Sequence, residues 1–279
     1  MAWPKEIPVE RYPSDLTDEE WDVLEAILNE VDPYTTGRPR KVDLREILNA
    51  LYSLNKTGGP WRYLPKDFPC FTWVSYYYQK GLDRNIWEKI NTKTRPILRK
   101  ESGRNENPSA GIIESQTVKG TPESTLESGF DGGKLIQGRK RHTIVDTMGC
   151  LLIVVVHAAN IYDGRAARCV VPAWFLLLNT VKKIGAEGAY SGAELMAWVN
   201  APFDGDLEVV EKKKTGKGFQ VVPRRWVVER TLAWRSRYRR LNRDYERNPK
   251  SSDSRVYISS SRLMLRRLCK NRALMAEAV

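Results

Sequence analysis

Residues Arg224–Asn248 read RRWVVERTLAWRSRYRRLNRDYERN. Taken as one helix, Val227, Thr231, Trp234, Tyr238, Leu241 and Tyr245 recur at alternating intervals of four and three. That is an apolar stripe needing a core to bury against. At about 100° per residue, Arg225, Glu229, Ser236, Arg240 and Arg243 gather on the opposite face. Between Arg224 and Arg247 nine arginines meet three acids, Glu229, Asp244 and Glu246. Two readings follow. One is a solvated face in which Arg225 and Glu229 form an i,i+4 pair. The other is a phosphate-binding helix that carries one metal-ligating glutamate. The rest of the chain has to choose between them.

Working outward, 279 residues suffice for a substantial core in one large or two smaller domains. A hydrophobic fraction of 41% with nine Trp and twelve Tyr is that of a folded protein. The net charge of +12 draws polyanions, either nucleic acid or an acidic membrane surface. No apolar run reaches the roughly 18 residues of a membrane span, and the N-terminus has no apolar signal region. Four scattered cysteines and two histidines argue against a zinc site or a disulfide framework. A reducing cytoplasm is the expected setting.

Upstream, Thr17 and Glu20 form a capping box before Trp21, Leu24, Ile27, Leu28 and Val31. A second helix starts at Asp43, with Glu46 in the capping-box position and a stripe of Ile47, Leu48, Leu51 and Leu54. Gly58-Gly59-Pro60 ends it. Third and fourth helices are predicted from Thr72 and from about Arg84 to Arg99. These make a small all-helical, helix-turn-helix-like unit over residues 1–100, with 101–109 as linker. The remaining 110–279 alternate differently. Strands are predicted at Ala110–Ile113, His142–Val145, Cys150–Val156, Val181–Ala186 and Leu207–Val210, with a basic loop from Thr117 to Arg141. Helices follow from Asp163 and over Ser191–Val199, and the Arg224–Asn248 helix closes the run. The order β-β-β-α-β-α-β-α is that of a mixed five-stranded α/β sheet with helices on its faces.

Three carboxylates stand where this order brings elements together. Glu114 is on the first strand, Glu187 follows the fourth, and Glu229 is on the closing helix. Clustered carboxylates suit Mg²⁺ or Mn²⁺, although each glutamate alone reads equally as a surface or turn residue. Asp146 suits a hairpin turn, Asp163 a helix cap and His157 a core-facing strand position. His142, beside Arg139-Lys140-Arg141, fits either a phosphate contact or a solvated loop.

The segments AGIIESQTVKG (110–120), FDGGKLIQGRKRHTIVDTMGCLLIVVVHAANIYD (130–163), GAEGAYSG (185–192) and PRRWVVERTLAWRSRYRRLNRDYE (223–246) together resemble bacterial insertion-sequence transposases of the DDE type, family five branch. WRYLPKDFP (61–69) resembles that group's N-terminal DNA-binding region. The resemblance runs from about Tyr12 to Leu268. It implies an RNase-H-like fold, Glu114, Glu187 and Glu229 as catalytic residues and ligands of two Mg²⁺ or Mn²⁺ ions, and double-stranded DNA as partner. It further implies a homodimer or higher multimer on transposon ends, in the bacterial cytoplasm at the nucleoid and away from membranes. The basic residues expected on the DNA are Arg139, Lys140, Arg141, His142, Arg225, Arg237, Arg239 and Arg240. The family carries aspartate at the first two acidic positions. Glu114 and Glu187 each move the carboxylate by one C–C bond, about 1.5 Å. A catalytically impaired or repurposed transposase that still binds DNA is therefore the alternative.

Overall fold

The computed structural model describes residues 12–34, 40–166, 180, 183–186, 206–209 and 225–277. Thr17 caps α1 (Asp18–Val31) as predicted. Its hydroxyl accepts from the Glu20 N–H at 3.3 Å, and the Glu20 carboxylate accepts from the Thr17 N–H at 3.0 Å. Asp43 caps α2 (Leu44–Thr57) through the Arg45 N–H at 2.8 Å, but Glu46 does not reach back. It is buried and accepts from the Asn49 side chain instead. Gly58, at φ +75°, ends the helix in the left-handed conformation that favours glycine. A 3-10 turn (Trp61–Tyr63), α3 (Phe71–Asp83) and α4 (Ile86–Glu101) complete the helical part.

The sheet has six strands among the described residues: β1 (Ala110–Lys119), β2 (Gly129–Asp131), β3 (Ile136–Asp146), β4 (Leu151–Ala158), β5 (Lys183–Ala186) and β6 (Asp206–Val209). β1 lies between β3, antiparallel, and β5, parallel, and β6 extends the parallel side. On its other side β3 pairs with β4 and, at its N-terminal end, with the three-residue β2. The sixth strand and the length of β3 differ from the sequence expectation. The predicted basic loop ending at Arg141 is partly strand, because partners on both sheet faces neutralise its charges. At the β1–β3 register Gly138 is obligatory: a Cβ there would lie 2.1 Å from the Val118 carbonyl oxygen. The helix predicted from Asp163 is described as far as Ala166, and the one predicted at Ser191–Val199 lies outside the described residues.

The closing stretch is not one helix. α5 (Arg225–Ser236) stops, a 3-10 turn runs over Arg239–Leu241, and α6 (Pro249–Glu277) begins behind an Asn248 cap with Pro249 at its first turn. Val227, Thr231, Tyr238 and Leu241 are buried, whereas Trp234 is half-buried and Tyr245 exposed. α6 packs along α4 and β4 and also touches α1, α2, α3 and α5. One buried cluster therefore joins Leu24, Leu51 and Val74 of the helical part to Val145 and Val154 of the sheet and Val256 and Leu265 of α6. Arg99 of α4 adds a link at 2.5 Å to Asp146, whose other oxygen accepts from the Met148 and Cys150 N–H groups of the β3–β4 turn. No helix among the described residues is long and apolar enough to cross a membrane.

Candidate active site

Strand alternation puts Ile112, Glu114, Gln116 and Val118 on one face of β1, and Ile113, Ser115 and Thr117 on the other. The cross-strand partner of Glu114 is Thr143, on the same face. α5 packs across that face. Its approach is fixed at the β3–β4 turn, where Arg230 donates to the Met148 carbonyl at 3.3 Å. Gly149, at φ +79°, leaves room there for the Thr231 hydroxyl, which would sit 2.5 Å from a Cβ. One turn further on, Arg235 is enclosed and donates to Thr143 Oγ1 at 3.3 Å, its Nε without a hydrogen-bond partner. Burial and the neighbouring Arg141 pull its guanidinium down to about 10, against the opposing pull of Glu114. Glu114 is half-buried and Glu229 exposed on α5. Glu187 lies outside the described residues. No group of three His, Cys, Asp or Glu able to hold a metal ion forms among the described residues.

The opposite face holds a closed polar network. Asp163 accepts from Ser115 Oγ at 2.9 Å and Lys140 Nζ at 2.8 Å, and Asp131 accepts from Thr117 Oγ1 at 2.6 Å. His142 stacks on His157, ring centroids 4.9 Å apart. Burial, with His157 adding to it, pushes the His142 imidazole down to about 3.

Several of the residues expected on DNA are buried. Arg139 is fully enclosed, donating to the Leu126, Glu246 and Arg247 carbonyls and pairing with Asp244 at 3.3 Å. Arg141 donates to the Leu241 carbonyl at 2.7 Å, and Lys140 and His142 lie in the network on the other face. Arg240 pairs with Glu246 at 2.8 Å and donates to the Gly59 carbonyl at 3.0 Å. Arg139, Lys140, Arg141, His142 and Arg240, all expected on phosphates, are thus buried and make their contacts within the protein itself. Arg237 and Arg239 are exposed. Arg225 opens α5, and its side chain is outside the described residues. Sequence reading missed Arg235, although it stands four residues after Thr231 on the stripe's own side.

The family model for the transposase DDE domain matches residues 105–252, more than half of the chain. A model described as a transposase of the IS4/5 family (DUF4096) matches residues 16–91. Neither a curated protein nor a solved structure matches. The longer match takes in every strand of the sheet and all of α5 and ends inside α6, and on it the chain belongs to the family of DDE-domain transposases.

Proposed function

We propose that this transposase binds the terminal inverted repeats of an insertion sequence as a homodimer or higher multimer. It cleaves and transfers DNA strands there, with Glu114, Glu187 and Glu229 as its catalytic carboxylates. One observation carries this reading. β1 and β5 run parallel with Ile112 opposite Gly185, so Glu114 stands two residues past the last paired position of β1, at the end of the sheet where β5 reaches Ala186. α5, which bears Glu229, packs across β1 on the Glu114 side.

The donor set is all carboxylate, hard oxygen ligands that fit Mg²⁺ or Mn²⁺. Held by these carboxylates, a pair of such ions would neutralise phosphoryl oxygens and acidify an attacking water. The chain's own contribution is position and charge. β3 pairs with β1 at Glu114 itself and β5 pairs with the preceding Ala110 to Ile112, a support for that side chain. Glu229 faces solvent, where a phosphate can arrive. Arg225, Arg237 and Arg239 supply positive charge on and just after α5 for the DNA backbone.

Two glutamates where related enzymes carry aspartate favour a second reading, a transposase impaired at the chemical step. Each adds a methylene, and a misplacement of about 1 Å costs about 10²-fold in rate. The test is cleavage of the element's own ends in Mg²⁺ and in Mn²⁺, by the native chain and by Glu114→Asp/Glu187→Asp. We expect weak cutting in Mg²⁺, partial recovery in Mn²⁺ and larger recovery in the double variant. Vigorous native cutting in Mg²⁺ eliminates the impaired reading. Binding of the ends with no cutting by either protein eliminates the enzymatic one.

A further inference from the structure

α3 carries two apolar faces. Val74, Tyr78 and Leu82 form the buried one. The other has Trp73, Tyr76, Tyr77 and Lys80 at i, i+3, i+4 and i+7, the spacing of a helix face meant to be covered. Here it is open: Trp73 is 43% and Tyr76 57% exposed. The rings are ordered edge to face, Trp73 to Tyr76 with centroids 6.4 Å apart and Tyr76 to Tyr77 at 5.3 Å. Together with Tyr34 and Arg40, whose guanidinium sits 5.3 Å from the Tyr34 ring centre, they border a cleft of about 370 Å³. Lys41 and Lys80 complete its wall.

The charge around the rings is positive. Asp32 is the acid at its edge, and it is shared between Lys80 at 2.6 Å and Arg84 at 2.8 Å. Arg40 lines the same cleft as Tyr76 and Tyr77, which sets a cation beside the rings. Exposed aromatic faces interleaved with cations fit a polyanion that itself has flat π faces. Duplex DNA hides those faces inside its stack, and unpaired nucleotides present them.

We propose that this face of α3 is a stacking platform for unpaired bases of DNA, with Arg40, Lys41 and Lys80 taking the flanking phosphates. The proposal rests on the reading that DNA is the partner, and adds the form of DNA that the helical part takes. It concerns a surface built by α3 and the approach to α2, apart from the carboxylate site on β1 and α5.

The test uses the full chain and labelled probes: a blunt duplex, and the same duplex with a single-stranded tail of about ten thymidines. Fluorescence anisotropy at fixed salt gives both affinities. We expect the native protein to bind the tailed probe about tenfold more tightly than the blunt one, the effect of one stacked base. Trp73→Ala/Tyr76→Ala should lose that preference and keep its blunt-duplex affinity, while Trp73→Phe keeps both. Both rings are exposed, so blunt binding and an unchanged thermal melt report an intact fold. A double variant that retains the preference overturns the proposal, and so does one that loses both probes equally. A native chain that binds the blunt duplex with no preference for the tail removes this inference and leaves the proposed function standing. A native chain that binds neither probe removes both.

Discussion

Arg235 stands on the buried side of α5, where burial and Arg141 pull its guanidinium down and the Glu114 carboxylate pulls against them. Its charge opposes any cation brought to that glutamate. At an effective dielectric of about 20, a unit charge about 10 Å away contributes roughly 1.7 kcal/mol. Arg235→Met should therefore bind Mn²⁺ at least tenfold more tightly, measured by titration calorimetry on the DNA-free protein. Unchanged or weaker binding would mean that Arg235 orders the site more than it repels the ion. Gly138 gives a purely steric test. Gly138→Ala drives a methyl group into the Val118 carbonyl and should cost about 3 kcal/mol in urea denaturation. A loss below 1 kcal/mol would show that the strands part there at little cost. Thr17 was legible from the sequence because its partner is three residues away. Arg235 was not, since its partners, Thr143 and Glu114, come from strands far along the chain.

Among the elements, β3 departs most from its sequence reading. Four successive basic side chains, Arg139 to His142, look like a solvated loop. They fit a buried strand only when both faces hold counter-charges, and Asp244 and Asp163 supply these from distant segments. The pairing of β3 with β4 also stacks two histidines. Burial lowers both His142 and His157, the former to about 3. The folded protein keeps these rings neutral, whereas the unfolded chain takes up protons below about pH 6.5. Their contribution to stability is thus complete above pH 6.5 and is lost as pH falls towards 3. The loss amounts to as much as about 1.4 kcal/mol per pH unit for His142, and His157 adds to it in the same direction. Urea denaturation between pH 7 and pH 5 should show that slope, and His142→Phe should flatten it. An equal slope in the variant would assign the acid sensitivity to other groups. The Arg224–Asn248 stripe predicted a single helix because its spacing continues through the break at Ser236. What ends the helix is tertiary: Tyr238 and Leu241 turn into the core, and Arg240 bonds to the Gly59 carbonyl at the end of α2.

Across the whole molecule, α6 joins the helical part to the sheet, and the sequence reading did not single it out. From Ser251 to Leu265 nearly every side chain of α6 is buried, which leaves no polar face there to define a stripe. Its serines, Ser251, Ser252, Ser254 and Ser259 to Ser261, are small enough for α4 and β4 to approach closely. Arg262 of α6 pairs with the buried Glu20 of α1 at 2.5 Å. Arg262→Leu leaves that carboxylate enclosed without its partner and should destabilise the protein by about 3–5 kcal/mol. Because the core is shared, calorimetry should show a single transition shifted downward, and two separate transitions would mean that the parts melt independently. Every segment that α6 touches precedes it in the chain. During synthesis α1 to α4 and the sheet leave the ribosome before the helix that joins their cores, and domains otherwise tend to fold in order of emergence. A nascent chain arrested before Pro249 should be cut rapidly by protease, and one arrested on an appended linker that carries α6 clear of the ribosome should resist. A message broken before α6 would then yield no competing DNA-binding fragment, and only copies translated through that helix would reach the DNA in folded form.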